Sequence, residues 1–209
     1  KATNVVHVDN AAPTLTLSGP ATSATAPSGI KSPKITWKAT DTHLSSVQYS
    51  VDGGAYSSGS LSASGTQELY TFKTSGKHTL TMKATDKLGN VATKTFTYYL
   101  DLEAPTIGKV RVEAENQKAL DTAWTTDANP TIHFDGIKDN IALKPEQMQY
   151  AMVKAGETVK DTDYKAISFE TISASQPYEG TFRLTEADRQ AESGAWEIHL
   201  RAKDTAGNS

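Results

Sequence analysis

The residues of this chain best suited to chemistry are carboxylates beside two recurring motifs. Asp9, Asp86, Asp101 and Glu103 stand at motif positions, and carboxylate oxygens are the natural ligands of a hard cation such as calcium, which takes roughly six to eight of them. The run is sparse, with no Asp-x-Asp pair among them. The structural reading therefore leads. In Asp86-Lys87-Leu88-Gly89-Asn90 and Asp204-Thr205-Ala206-Gly207-Asn208, the Asp accepts hydrogen bonds from turn amides and the Gly supplies a positive φ. No cofactor is expected. Calcium is the alternative, with Asp9, Asp86, Asp101 and Glu103 as its candidate ligands.

Three indoles invite a sugar-stacking hypothesis. Trp37 and Trp196 fall on apolar faces of alternating segments and read as core. Trp124 lies in the polar stretch Thr122-Ala123-Trp124-Thr125-Thr126-Asp127 and is the candidate ligand contact. The five histidines, His7, His43, His78, His133 and His199, show no partner at metal-ligand spacing, and His78 reads as a packed residue. There is no Gly-x-Ser-x-Gly elbow and no phosphate-cradling glycine loop. The chain is expected to be no enzyme.

Composition narrows the classes further. The chain has 209 residues and no cysteine, so disulfides and thiolate metal sites are excluded. Net charge is -3. Residues 9–100 carry eight Lys against five acids, and residues 101–209 carry twelve Lys and Arg against nineteen acids. Neither part has a basic cluster interleaved with aromatics, so nucleic acid is not an expected partner. No apolar run approaches the ~20 residues of a membrane span, so no membrane insertion is expected.

Strand signals position these residues. Ile35, Trp37 and Ala39 share one face of an alternating run, as do His78, Leu80, Met82 and Ala84. Trp196, Ile198, Leu200 and Ala202 repeat that phase, and Phe96, Tyr98 and Leu100 form a further stripe. Period two with one polar face means antiparallel sheets covered on one side. Val47, Tyr49 and Val51 lead into Asp52-Gly53-Gly54, a strong turn signal. Breaks rich in Gly, Ser, Pro and Asn at regular intervals are the mark of a sandwich. Helix is nearly absent. Thr185–Ala191 carries a capping-box pattern, and Lys144-Pro145-Glu146-Gln147 suggests one helical turn with Pro at its start.

The chain also says the same thing twice. Asp9-Asn10-Ala11-Ala12-Pro13-Thr14 recurs as Asp101-Leu102-Glu103-Ala104-Pro105-Thr106, and the segment from Gly76 to Asn90 recurs from Gly194 to Asn208. A period near a hundred residues is that of a whole domain. The expected division is a strand-like segment at 1–8 left from a preceding repeat, a first domain at 9–100 and a second at 101–209. The second copy is longer, most of all between Lys154 and Arg189, and this growth is expected in connections. Its last strand is expected to be missing, because it stops at Ser209 where the first copy continues from Val91 to Leu100. Either the chain is cut from a longer array, or a neighbouring molecule supplies a strand.

These motifs resemble the bacterial immunoglobulin-like repeats of Gram-positive surface proteins, which often open with Asp-x-x-Ala-Pro-Thr and close on Asp-x-x-Gly-Asn. The layout is also similar to fibronectin type III, with an inward aromatic on the second strand (Trp37, Phe134) and a Tyr on the third (Tyr49, Tyr150). The resemblance implies an all-β chain of two tandem immunoglobulin-like antiparallel sandwiches. It implies a bacterial cell-surface or secreted location and a non-catalytic spacer role presenting an adhesive or catalytic domain, with neighbouring repeats of the same polypeptide as partners. The alternative it implies is a glycan- or host-protein-binding adhesin module, or an accessory module of an extracellular glycoside hydrolase.

Overall fold

The computed structural model describes residues 4, 8–114, 129–141, 143–185, 188 and 194–209. Among them the chain is all-β, its strands gathered into four antiparallel sheets. It divides into two compact units, Lys1–Asp101 and Leu102–Ser209, so Asp101 closes the first unit. No helix among the described residues is long and apolar enough to cross a membrane.

Six strands build the first unit: β1 (Thr14–Ser18), β2 (Lys34–Thr40), β3 (Leu44–Val51), β4 (Ser64–Glu68), β5 (Gly76–Asp86) and β6 (Val91–Leu100). They form the sheets β1-β2-β4 and β3-β5-β6. Alternation decides which face each strand buries. In β2, Ile35, Trp37 and Ala39 are buried while their neighbours are exposed, and in β5 His78, Leu80, Met82, Ala84 and Asp86 are buried. Leu15, Trp37 and Ala39 of one sheet share a core with Val47, Met82 and Ala84 of the other. Hiding side chains such as Ile35, Leu80 and Met82 contributes roughly 2 kcal/mol each. The turn after β3 has positive φ at both Asp52 (49°) and Gly53 (73°), the geometry that matches strand twist. It returns the chain beside β3, where Ser57 N–H donates to the Tyr49 carbonyl and Leu61 N–H to that of Val47.

The second unit holds β7 (Val110–Glu113), β8 (Thr131–Ile137), β9 (Leu143–Lys154), β10 (Lys165–Ala166), β11 (Phe169–Ile172), β12 (Tyr178–Arg183) and β13 (Trp196–Asp204), with a 3-10 turn at Asp161–Asp163. Its sheets are β11-β12-β8-β7 and β10-β9-β13. Ile132, Phe134 and Phe182 of the first meet Met148, Tyr150 and Ala202 of the second in one core.

Three expectations need correction here. The growth between Lys154 and Arg189 is not all connection: it adds β10 beside β9 and β11 beside β12. Lys144-Pro145-Glu146-Gln147 is strand, not a helical turn. The ladder tolerates Pro145 because it lies where the β9–β13 register shifts, between the pairs Ala202↔Met148 and Asp204↔Leu143, so the missing N–H interrupts no bond. Trp196 is only half-buried, whereas Trp37 is core. The Thr185–Ala191 segment lies mostly outside the described residues. Its two described members do meet, with Thr185 N–H and Oγ1 both donating to Asp188 Oδ2.

Candidate functional site

One end of the first unit gathers its polar chemistry. Asp86 is the last residue of β5, and its side chain clasps the turn that follows. Oδ1 accepts from Leu88 N–H at 2.9 Å and from Asn90 N–H at 2.8 Å, while Oδ2 accepts from Asn90 Nδ2 at 2.7 Å. Gly89 takes φ 91° to bring those amides round, a conformation that a Cβ would strain. Burial pushes the Asp86 carboxyl up, but the donors from Asn90, Leu88 and Gly89 outweigh it and hold it below the ordinary value.

The clasp is repeated in the second unit. Asp204 Oδ1 accepts from Gly207 N–H at 2.6 Å and Asn208 N–H at 2.8 Å, and Oδ2 accepts from Asn208 Nδ2 at 2.6 Å. Gly207 has φ 96°. The same five-residue spacing thus folds the same way twice, because every bond in it is local.

Asp9 joins the first clasp from a distance in sequence. Its backbone carbonyl accepts from Asn90 Nδ2, its Oδ1 from Ala11 N–H, and its Oδ2 faces His43 Nδ1 at 3.0 Å. The His43 hydrogen bond is the main reason that the Asp9 carboxyl is held below its ordinary value. Asp41 Oδ1 accepts from the backbone N–H of His43 at 2.6 Å. Asp9, Asp41 and His43 each offer a ligand atom within 4.8 Å of the others.

Of the four candidate calcium ligands, the first unit brings Asp9 and Asp86 to one end. Asp101 is fully buried and anchored by its own N–H to the Ser28 carbonyl, and Glu103 is exposed in the second unit. The Asp86 oxygens are engaged by the clasp, and the third ligand beside Asp9 and Asp41 is a ring nitrogen. That donor set is poorer in oxygen than calcium requires. Asp41 and His43 escaped the sequence reading because His43 meets Asp9 across the strand layout, at no regular spacing. Trp124 lies outside the described residues.

The second unit adds two polar features. A hollow of about 410 Å³ beside its clasp is lined by Gln147, Gln149, Arg201, Lys203, Asp204 and Thr205 among others. Its wall is mostly polar, unlike the apolar lining of small-molecule sites. Deeper in the unit, the buried Asp188 carboxylate accepts from Tyr150 Oη at 2.9 Å and from Lys165 Nζ at 2.6 Å through Oδ1. Burial alone would raise the Asp188 carboxyl, but Lys165, Thr185 and Tyr150 hold it at about 2. Burial, then the facing Asp188, pushes the Tyr150 hydroxyl well above its ordinary value. This triad ties β10 and β9 to the Thr185 segment and resembles a structural brace rather than a reaction centre.

No protein-family model matches the chain, and no curated protein is significantly similar to it.

Proposed function

We propose that this chain is a pair of tandem immunoglobulin-like modules acting as a non-catalytic spacer in a bacterial cell-surface or secreted protein. The observation that carries the reading is the duplicated clasp, Asp86 to Asn90 and Asp204 to Asn208, each closing the same kind of strand. A clasp whose carboxylate is consumed by its own turn is a device for holding a fold together, and two copies of it point to a module repeated for length.

Strand order supports the immunoglobulin-like part. The order β1-β2-β4 with β3-β5-β6 is that of the first, second and fifth strands against the third, sixth and seventh of such a sandwich. In the second unit β7-β8-β12-β11 with β10-β9-β13 is similar to that plan, with β11 in the place of the fourth strand and β10 added beside the third. The absence of cysteine fits a spacer whose stability rests on packing and turn bonds.

Single-molecule stretching tests the role. A spacer of two independent modules gives two unfolding events per chain, each releasing on the order of 300 Å of contour length for about ninety residues. A single event, or unfolding at negligible force, would count against it. The adhesin alternative is tested by a glycan array, where a signal abolished by Trp124→Ala would favour recognition over spacing.

A further inference from the structure

The hollow beside the second clasp is bordered by residues that the first unit lacks. In the β3–β5 ladder only Ser45 and Ser46 lie between Leu44, opposite Asp86, and Val47, opposite Ala84. In β9 the corresponding stretch runs from Leu143, opposite Asp204, to Met148, opposite Ala202, and holds Lys144, Pro145, Glu146 and Gln147. On β13 Lys203 alone stands across from those four, so β9 bows out of the ladder, as strands do where they shape a site. Gln147 Nε2 donates to the Asp204 carbonyl at 3.2 Å, which pins the bow to the clasp. The hollow it borders measures about 410 Å³, within the roughly 300–1,000 Å³ of small-ligand sites.

Part of the lining is fixed in advance. Gln149 and Arg201 are cross-strand partners on the sheet face opposite the core residues Met148, Tyr150 and Ala202. Arg201 Nε and Nη2 both donate to Gln149 Oε1, Nη1 donates to Asp161 Oδ1, and the guanidinium lies 3.8 Å from the centre of the Tyr164 ring. Another part is unfinished. Gln147 Oε1 and Thr205 Oγ1 are buried oxygens with no hydrogen-bond partner among the described residues, and both residues line the hollow. Buried polar atoms are nearly always paired, so two orphans beside one hollow call for a partner. The Gln147 amide is held by its bond to Asp204, and its oxygen requires a donor from elsewhere.

The lining also states what chemistry fits. Arg201 and Lys203 share it with Glu146 and Asp204, so a strongly charged ligand meets a repelling group as well as an attracting one. A polar wall suits no apolar molecule. The Gln147 oxygen needs a donor, whereas the Lys203 ammonium needs an acceptor, and a hydroxyl is both. We propose that this hollow binds one neutral sugar ring, whose hydroxyls donate to Gln147 Oε1, pair with Thr205 Oγ1 and accept from Lys203. The inference stands on the second unit alone and does not depend on the spacer reading, since one module can supply both length and a ligand site.

Thr205→Val gives a clean test, because the hydroxyl it removes bonds no described group and its loss should leave circular dichroism unchanged. Methyl glucoside, methyl galactoside, methyl mannoside and N-acetylglucosamine are each titrated into the isotope-labelled chain while amide resonances are followed. The expected result is saturable shifts with at least one of the four, centred on residues 146–149 and 201–207. Thr205→Val should weaken that binding roughly tenfold, Lys203→Ala should weaken it as well, and Thr97→Val in the first unit should leave it unchanged. Saturation by none of the four, shifts centred elsewhere, or full affinity in both Thr205→Val and Lys203→Ala would each overturn the proposal. So would inorganic sulfate binding at those amides where the neutral sugars do not, which would make the hollow an anion site.

Discussion

Gly65 lies directly across from Trp37 in the β2–β4 ladder, and the indole fills the space where a Gly65 side chain would stand. A Cβ built there would come within 2.7 Å of Trp37 Cη2. The indole Nε1–H then reaches the Ser62 carbonyl at 2.9 Å. The second unit repeats the pairing: Gly180 lies opposite Phe134, and a Cβ on it would meet the Thr171 carbonyl oxygen first and then the Phe134 ring at 2.9 Å. In each unit a glycine, on β4 or β12, stands beside the large aromatic of β2 or β8, and at Gly180 the backbone of β11 closes in as well. An aromatic laid over a cross-strand glycine restores packing that the glycine itself cannot provide.

Gly65→Val is therefore expected to destabilise the first unit by about 1–3 kcal/mol through forced displacement of the indole. Urea unfolding followed by Trp fluorescence measures it. Combined with Trp37→Leu, the glycine substitution should cost clearly less than it does alone, since the two share one space. Simple additivity would show that the indole is not the obstacle.

Asp86→Ala removes three hydrogen bonds to one turn and should lower stability by about 2–3 kcal/mol, more than Asn90→Ala, which leaves the backbone bonds to Asp86 in place. Thermal melts of the two variants rank them. A reversed ranking would mean that the Asn90 bridge to Asp9 matters more than the clasp.

The acid limb reports Asp188. Its carboxyl is held at about 2 in the fold against an ordinary value of 3.8. A depressed folded value gives stability that is fully present above the unfolded value and is lost as pH falls from about 4 towards 2. The contribution at neutral pH is on the order of 2 kcal/mol. Asp188→Asn should remove that part of the pH dependence, and denaturant titrations across pH 2–6 compare the variant with the parent chain. An unchanged slope would remove Asp188 from the account. Tyr150→Phe should cost about 1 kcal/mol at neutral pH.

Melting in calcium and in a chelator should give the same midpoint. The Asp86 oxygens already serve the clasp, and Asp9, Asp41 and His43 supply too few oxygens for that ion. A midpoint that rises with calcium, and falls back in Asp41→Ala, would reverse this expectation.

Local order settles much of this molecule. The alternation of Ile35, Trp37 and Ala39, or of Leu80, Met82 and Ala84, names the buried face of β2 and β5, because successive side chains of a strand point to opposite sides. The Asp52-Gly53 turn and both Asp-x-x-Gly-Asn clasps are equally legible, since the bonds that close them, Gly54 N–H to the Val51 carbonyl and the turn donors to Asp86 and Asp204, span at most four residues. Spacing along the chain is enough when the partners are close along the chain.

Tertiary structure decided the rest. Gly65 opposite Trp37, and His43 against Asp9, are pairs distant along the chain whose meeting follows from strand register and packing, which no local period encodes. The strands β10 and β11 grew in what read as a loop, because Lys165 and Ala166 found an edge of β9 to extend, and Phe169 and its neighbours an edge of β12. Trp37 and Trp196 carry the same alternation and differ in burial, for one lies over a glycine within a core and the other is the first residue of β13, opposite Lys154. Burial is a property of what stands opposite, and only the folded chain supplies that.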